Sequence, residues 1–251
     1  MYNLILGDCL EKMKDIPTQS VDLVLTDPPY GTTACSWDEV IPFDKMWGQL
    51  KRITKIRSAI VLFGSQPFTS ALIMSNPKMF KYEWVWDKHI PRGFQVAKYR
   101  PMMRHENISV FGEGKLNYYP IMVERDKPVK VKNYSKKNKL SSNDIGKYND
   151  GRSFIYTHKS PDSIIEGCWE PNKGKLHPTQ KPVSLLEYLI KTYTLEDETV
   201  LDFTMGSGST GVAAVNLNRN FIGIEKEENY FEIATKRIEE AHNKASLDKF
   251  F

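Results

Sequence analysis

The sequence Asp27-Pro28-Pro29-Tyr30 combines an acid, two rigid residues and an aromatic ring directly after the apolar run Val21–Thr26. Proline has no N–H group and a fixed φ angle, so this corner can neither continue a strand nor enter a helix. We expect the Asp27 carboxylate and the Pro28 carbonyl to form a rigid pair of acceptors that aims an exocyclic amine at an electrophile. The Tyr30 ring would stack on the planar base that carries the amine. The alternative is an Asx-type turn that the prolines only punctuate.

A glycine-rich segment with an acid at each end forms the second chemical signal. Asp202 ends an apolar stretch, the glycines Gly206, Gly208 and Gly211 follow, and the next apolar stretch ends at Glu225. In such a βαβ unit the glycines let the backbone approach a ligand, and the second acid accepts hydrogen bonds from ribose hydroxyls. The glycine spacing also fits NAD, but Asp202 would repel a pyrophosphate. It suits a ligand with a cationic amino group beside a ribose, such as S-adenosylmethionine; a turn that binds nothing is the remaining alternative.

A third acid, Asp8, follows the apolar stretch Tyr2–Leu6 through Gly7. Ligands of open α/β sheets bind along the edge formed by the carboxyl ends of the strands, and Asp8 would lie on that edge. We expect its carboxylate to accept a hydrogen bond from the amino group of an adenine ring. The alternative is an N-cap for a helix over residues 10–14, a role that is compatible with ligand binding.

Strand-like and helix-like segments alternate on both sides of an irregular middle region. The alternation predicts an α/β domain with a mixed, mostly parallel sheet and helices on both faces. Residues 1–111 and 177–251 would form its two halves, and residues 112–176, rich in Lys, Asn, Ser, Gly and Tyr, an insertion of loops and short elements. The predicted strands cover residues 2–6, 21–26, 59–63, 82–86, 107–111, 199–203 and 221–225, and the predicted helices cover residues 10–14, 43–53, 67–76, 183–193, 211–217 and 228–241.

The composition excludes several classes of protein. The 251 residues are 40% hydrophobic and 26% charged, which is typical of a globular chain, and there is no apolar run of the length that spans a membrane. The N-terminus lacks the features of a signal peptide, so we expect a cytoplasmic location. Three scattered cysteines, Cys9, Cys35 and Cys168, indicate reduced thiols. The five histidines show no spacing typical of metal ligands, so no metal is expected.

Positive charge is concentrated in the middle of the chain. Residues 88–139 contain thirteen Lys and Arg against four acids, with aromatic residues such as Phe94 and Tyr99 between them. This pattern is typical of a surface that contacts nucleic acid, and a solvated lysine-rich face is the alternative. The residues predicted to contact DNA are Lys88, Arg92, Arg100, Arg104, Lys130, Lys132, Lys136 and Lys137.

Together these motifs resemble a known family. Asp27-Pro28-Pro29-Tyr30, the sequence HPTQKPVSLLEYLI from His177 and the glycine segment from Asp202 are similar, in this chain order, to the β-class of DNA adenine-N6 methyltransferases. The resemblance implies a Rossmann-like, S-adenosylmethionine-dependent fold with a permuted motif order, in which residues 112–176 recognise the target sequence. It implies catalytic roles for Asp27, Pro28, Pro29 and Tyr30, and a cofactor site built from Asp8, Cys9, Asp202, Phe203, Gly206, Ser207, Gly208, Ser209 and Glu225.

The resemblance also implies that Thr179 and Lys181 close over the methionine end of the cofactor, with Lys181 paired to its carboxylate. Two positions depart from the family pattern, because Phe203 stands where proline is usual and Ser209 where threonine is usual. Side-chain contacts at these two positions therefore do not carry over from the family, whereas the backbone cradle does.

The function implied by the resemblance is methyl transfer to the N6 amine of an adenine flipped out of double-stranded DNA, in a bacterial or phage-encoded protein. The aspartate at position 27 favours adenine, because relatives that act on cytosine often carry serine there. Further candidate partners are a second copy of the chain and a cognate restriction endonuclease. The alternatives are methylation of cytosine N4, of RNA or of a protein amine, and a non-catalytic relative that only binds DNA.

Overall fold

A computed structural model describes residues 1–32, 38–132, 153–168 and 180–247. Its strands are β1 (Tyr2–Leu6), β2 (Val21–Thr26), β3 (Thr54–Gly64), β4 (Phe80–Arg92), β5 (Met103–Phe111), β6 (Val123–Lys132), β7 (Ser153–Lys159), β8 (Ile164–Ile165), β9 (Thr199–Asp202) and β10 (Asn220–Glu225). Its α-helices are α1 (Cys9–Lys12), α2 (Phe43–Ile53), α3 (Phe68–Ser75), α4 (Val183–Tyr193), α5 (Ser209–Asn216) and α6 (Glu228–Leu247). Met13–Asp15 and Phe94–Val96 form short 3-10 helices.

Eight strands form one mixed sheet in the order β1-β10-β9-β2-β3-β5-β4-β8. The strands from β1 to β3 in this order are parallel neighbours, whereas β5 runs antiparallel to both β3 and β4. Residues of α4, α5 and α6 pack in one buried cluster against the sheet, and residues of α1, α2 and α3 pack in a second. The predicted α/β fold, with a mostly parallel sheet and helices on both faces, is confirmed.

The centre of the sheet determines where a ligand can bind. Strand β2, sequence VDLVLT, is buried at every position and lies between β9 and β3. Chain connections lead outward in opposite directions from β9 and β2, so a crevice opens beyond their carboxyl ends, the usual ligand site of open α/β sheets. Asp202 ends β9 and Asp27 directly follows β2, which puts both acids at this crevice.

Three strands are longer than the sequence predicted. Apolar patterning indicated residues 59–63, 82–86 and 107–111, whereas β3, β4 and β5 extend beyond these limits. The pairing of β4 with β5 runs from Phe80 opposite Phe111 to Arg92 opposite Met103. Backbone hydrogen bonds between the two strands continue past the apolar core, and local hydrophobicity does not report such pairing.

Residues 120–162 form a compact unit of their own, in which β6 and β7 pair as an antiparallel hairpin. The predicted insertion, residues 112–176, is wider than this unit. Leu116 packs in the core cluster of the main unit, and Ile165 belongs to β8. Val129, Lys130 and Val131 alternate apolar and polar side chains, a pattern typical of a strand. The prediction of loops and short elements followed the lysine-rich composition of the region instead. Among the described residues, no helix has both the length and the apolarity needed to cross a membrane.

Candidate active site

A cavity of about 280 Å³ opens at the carboxyl ends of the central strands. This volume lies near the lower end of the range for small-molecule sites. The cavity brings together residues from both ends of the chain. Most of the predicted catalytic and cofactor-binding residues line it: Asp8, Cys9, Asp27, Pro28, Pro29, Tyr30, Lys181, Asp202, Phe203, Gly206, Ser207, Ser209 and Glu225. Thr179 lies outside the described residues.

Two threonines join the Asp-Pro-Pro-Tyr corner to the glycine segment. The Thr26 hydroxyl, at the end of β2, donates a hydrogen bond to the Asp202 carboxylate. The Thr204 hydroxyl lies 2.7 Å from that of Thr26 and donates to the Asp27 carbonyl oxygen over 3.2 Å. The sequence did not point to Thr26 and Thr204, because each lies next to a motif rather than within it.

Asp202 is held as an acceptor by the protein itself and is only 3% exposed. Its Oδ1 accepts from Thr26 and, over 3.1 Å, from the Thr204 backbone N–H, while Oδ2 accepts from the Thr210 hydroxyl over 2.6 Å. Burial raises the pKa of Asp202 to about 6, although the hydrogen bonds from Thr210 and Thr26 oppose the shift. Since each carboxylate oxygen has two lone pairs, Oδ2 retains capacity for a further donor from a ligand.

Glu225, at the end of β10, supports the glycine loop as well as facing the cavity. One of its oxygens accepts from the Gly206 backbone N–H over 2.8 Å, and the other accepts from the Glu227 backbone N–H over 2.9 Å. Burial raises the pKa of Glu225 despite these backbone hydrogen bonds. The carboxylate is thus oriented before any ligand binds.

Asp8 is a helix N-cap that also lines the cavity, and its hydrogen bond to an adenine ring stays a prediction. Its Oδ1 accepts from the backbone N–H of Leu10 over 2.9 Å and of Glu11 over 3.2 Å, which makes it the N-cap of α1. Cys9, the next residue, also lines the cavity. Burial raises the pKa of Cys9 to about 12, and the nearby Asp8 carboxylate adds to the shift.

Gly208 shapes the loop rather than lining the cavity. Its φ angle is +79°, and a Cβ atom added there would lie 2.8 Å from the Cβ of Ala234 on α6. Helix α6 also provides Arg237, whose guanidinium donates to the Ser207 carbonyl oxygen over 2.5 Å and to the Ser209 hydroxyl over 3.2 Å. Contact with α6 therefore fixes the path of the loop, and no local pattern in the sequence pointed to Arg237.

A network of charged groups surrounds Asp27. Its Oδ1 accepts from the Tyr30 hydroxyl over 2.5 Å, and its Oδ2 accepts from the Lys181 ammonium. Oε1 of Glu106, on β5, lies 3.0 Å from the Tyr30 hydroxyl and 3.0 Å from the Lys181 ammonium. Its Oε2 pairs with Lys88. The sequence predicted that Lys181 binds a ligand carboxylate, whereas the structure pairs its ammonium with two carboxylates of the protein.

Burial and charge act against each other in this network. Burial raises the pKa of Asp27, and the Glu106 charge raises it further, although Lys181 opposes both. Burial also disfavours the charge of Glu106, but Lys181 and Lys88 outweigh it and lower the pKa of Glu106 to about 2. For Lys181 the attraction of Asp27 and Glu106 outweighs burial and raises the pKa. Glu106 and Lys181 are therefore ionised at neutral pH.

The Tyr30 ring stacks against Phe68, with ring centroids 4.9 Å apart and planes inclined by 29°. The backbone on either side of the ring is fixed by the buried Asp38 carboxylate. Asp38 accepts from the backbone N–H groups of Tyr30, Gly31 and Thr32 over 2.8 to 2.9 Å. These contacts hold the corner rigid beyond the two prolines.

The residues predicted to contact DNA differ in their surroundings. Lys88 belongs to the network around Asp27, since it pairs with Glu106 and lies 5.4 Å from the Trp86 ring centroid, and its contact with DNA stays a prediction. Arg104 forms a two-point ion pair with Asp87 over 2.6 and 2.8 Å. Arg92, Arg100 and Lys130 are exposed, Lys132 lies on β6, and Lys136 and Lys137 fall outside the described residues.

The fold and the site together define an S-adenosylmethionine-dependent methyltransferase. The solved structure of M1.HpyAVI in complex with SAM aligns with a TM-score of 0.63 at 26% identity, over 94% of this chain and 100% of that one. The cytosine-N4-specific PvuII DNA methyltransferase aligns with a TM-score of 0.64 over 97% of this chain and 92% of that one. Its identity of 16% shows likeness of fold alone.

The chain belongs to the DNA methylase family of N6 and N4 methyltransferases, whose family model matches residues 21–236. The Type II methyltransferase M.ScaI of Streptomyces caespitosus is 30% identical over 255 residues, covering 93% of this chain and 80% of the relative. M.HinfI of Haemophilus influenzae is 29% identical over 271 residues, covering 96% of this chain and 69% of the relative. The predicted family and cofactor are confirmed: the chain is a DNA methyltransferase that uses S-adenosylmethionine.

Proposed function

We propose that this protein methylates the N6 amine of an adenine flipped out of double-stranded DNA. The observation that carries the proposal is the junction of the two motifs, in which Thr26 and Thr204 bind Asp202 on one side and the Asp27 corner on the other. An acceptor for an amine and a carboxylate-lined site for a cationic ligand thereby share one cavity.

The residues around the cavity match the cofactor chemically. Asp202 has the charge to bind the amino group of its methionine part, Glu225 is oriented to accept from ribose hydroxyls, and Asp8 faces the side assigned to adenine. S-adenosylmethionine supplies an electrophilic methyl group carried on a sulfonium. The same cavity is also lined by Phe203 and by three residues of the glycine loop, Gly206, Ser207 and Ser209.

The amine of a paired adenine is out of reach inside the duplex, so the base leaves the stack at a cost of a few kcal/mol. Asp27 and the Pro28 carbonyl then accept from its two N–H groups and direct the nitrogen lone pair away from the ring. Asp27 also takes the proton that the methylated amine releases. Its raised pKa, which arises from burial, makes it a better proton acceptor than an exposed carboxylate.

The aspartate at position 27 favours adenine over cytosine as the target. Cytosine N4 is a second candidate, since its exocyclic amine fits the same pair of acceptors. We further propose that residues 1–111 and 177–251 form the methyltransferase domain and that residues 112–176 recognise the target sequence. Since its relatives include Type II methyltransferases of bacteria, a cognate restriction endonuclease is the proposed partner. A homodimer and a cytoplasmic location stay predictions.

One experiment distinguishes the two targets. Unmethylated genomic DNA is incubated with the protein and methyl-labelled S-adenosylmethionine, digested to nucleosides and separated by chromatography. We expect label in N6-methyldeoxyadenosine, and sequencing for modified bases then gives the recognition site. Label in N4-methyldeoxycytidine would replace adenine by cytosine, and no label in DNA would contradict the proposed function.

A further inference from the structure

Both carboxylate oxygens of Asp27 already have a donor in this structure. Tyr30 donates to Oδ1 over 2.5 Å, and the Lys181 ammonium binds Oδ2. The same ammonium lies 3.0 Å from Oε1 of Glu106, so it bridges two acids that come from β5 and from the end of β2. All these groups except Tyr30 belong to side chains with little exposure, which limits their contact with solvent.

The bridge conflicts with the proposed chemistry. Oδ2 of Asp27 has a second lone pair, but an amine that shared this oxygen with the Lys181 ammonium would gain positive charge on methyl transfer beside an existing cation, so the two donors compete for this position. A buried ammonium cannot leave one acid unless another acid keeps it neutralised, because an unpaired buried charge is costly. Glu106 meets this requirement, since it contacts Lys181 directly through Oε1, whereas Lys88 pairs with its other oxygen, Oε2.

We infer that the target amine displaces Lys181 from Asp27 and that Glu106 retains the displaced ammonium. This inference rests on the proposed function, and it makes Glu106 and Lys181 positioning residues for the transfer. While no base is bound, the Lys181 ammonium occupies the acceptor on Asp27 that the target amine uses, and it moves away from Asp27 when a base enters. The N–H groups of the target then occupy the acceptor that the ammonium has left.

The displacement has a consequence for the proton. When the cation moves from Asp27 toward Glu106, the proton affinity of Asp27 rises, because an opposite charge no longer favours its ionised form. The N–C bond forms as the bond between the methyl group and the sulfonium breaks, and the electron pair of the broken bond stays on sulfur as a neutral thioether. The amine nitrogen then carries a positive charge, and its N–H bond breaks and gives the proton to the Asp27 carboxylate. Lys181 keeps its own proton throughout. Asp27 thus becomes a stronger base at the stage at which a base is needed.

The test compares Glu106→Gln with the double variant Glu106→Gln/Lys181→Met. Without the Glu106 charge, Lys181 stays on Asp27 and blocks the amine, so we expect kcat/KM for duplex DNA to fall about tenfold or more. Removal of the blocking ammonium in the double variant should restore most of that loss. Lys55→Met, which removes a half-exposed ion pair with Asp22, is the matched control and should leave kcat/KM within twofold. A double variant no more active than Glu106→Gln would overturn the inference.

Lys181→Met alone provides a second readout that does not depend on the folding of Glu106→Gln. Loss of the cation raises the proton affinity of Asp27 in the free enzyme, so the acidic limb of the kcat/KM profile should move to higher pH. Cofactor binding, followed by calorimetry, verifies that each variant is folded. An unmoved acidic limb in a folded variant also contradicts the inference. Failure of the wild-type protein to label DNA would instead contradict the proposed function, so the two failures are distinct.

Discussion

The Thr26 hydroxyl binds the Asp202 carboxylate although 176 residues separate the two in the chain. Strands β2 and β9 are parallel neighbours, so the residues at their carboxyl ends come within hydrogen-bonding distance. The contact joins the corner proposed to orient the target amine to the acid proposed to bind the cofactor. A hydroxyl at position 26 therefore affects both halves of the reaction.

Thr26→Val tests this connection with a side chain of nearly the same shape. The variant leaves the buried Asp202 carboxylate with one donor fewer, and loss of such a partner costs roughly 1–3 kcal/mol of unfolding free energy. We expect this loss together with weaker cofactor binding, measured by chemical denaturation and calorimetry.

Thr69→Val is the matched control for that experiment. The Thr69 hydroxyl is fully buried and has no hydrogen-bond partner among the residues that the structure describes. Its replacement should be neutral or stabilising, since burial of an unpaired hydroxyl is unfavourable. Equal destabilisation by both variants would show that the Thr26 hydrogen bond contributes nothing specific.

Asp27→Ala tests the proposed role of the carboxylate in the chemistry. The variant removes the acceptor for the amine and for its proton, so methyl transfer should fall below detection while cofactor binding stays within a few-fold. Asp15→Ala removes an exposed carboxylate and should leave turnover unchanged. Unchanged turnover in Asp27→Ala would remove Asp27 from the chemistry.

Asp202 should make the stability of the protein depend on pH. Burial raises its pKa from 3.8 to about 6, so between these values the folded state holds the proton more tightly than the unfolded state. The free energy of unfolding therefore falls as pH rises through this window, by up to roughly 3 kcal/mol for a shift of about two pKa units.

Asp202→Asn removes that titration and should be more stable than the wild type above pH 6, with a difference that disappears near pH 4. Glu225, whose pKa burial also raises, and Glu106, whose pKa is lowered to about 2, titrate in both proteins and cancel in the comparison. The variant should bind the cofactor more weakly, because it lacks the charge that attracts the amino group. A stability difference that does not vary between pH 4 and 7 would contradict the assigned shift.

Sequence analysis predicted the fold more completely than the network around Asp27. The limits of β2 and α2 matched, because each apolar pattern is bounded by a residue that breaks the element, such as Pro28 and Pro42. Glu106 was missed, since its position beside Lys181 depends on the antiparallel register of β5. Nothing in the spacing of residues 27, 106 and 181 reports that register, which is set by pairing between distant strands.

The glycine loop offers a prediction about packing that is independent of catalysis. Gly208→Ala would put a Cβ atom 2.8 Å from the Cβ of Ala234 at a φ angle of +79°, so we expect a loss of roughly 1–3 kcal/mol. Gly48→Ala is the opposite case, because Gly48 is helical and exposed, with nothing within 4 Å of the added atom. That variant should gain roughly 0.5–1 kcal/mol. Thermal unfolding measures both, and a destabilised Gly48→Ala alongside an unchanged Gly208→Ala would refute the packing argument.

The exposed cations should determine how DNA affinity depends on salt. Each phosphate contact contributes a slope of about 0.9 to the logarithmic plot of affinity against salt. Arg92→Ala, Arg100→Ala and Lys130→Ala should each lower the slope by about 1, and Arg104→Ala by less, because Asp87 already neutralises its guanidinium over 2.6 and 2.8 Å.

The aromatic residues Phe94 and Tyr99, 80% and 82% exposed, lie between Arg92 and Arg100 in the chain and test base stacking rather than charge. Their replacement by alanine should weaken binding without changing the slope, since base stacking releases no counterions. Lys14→Ala, which removes a cation paired with Glu11, should change neither quantity. Fluorescence anisotropy with a labelled duplex, at several salt concentrations, measures both. An affinity of the wild type that does not vary with salt would reassign the basic residues to a solvated surface.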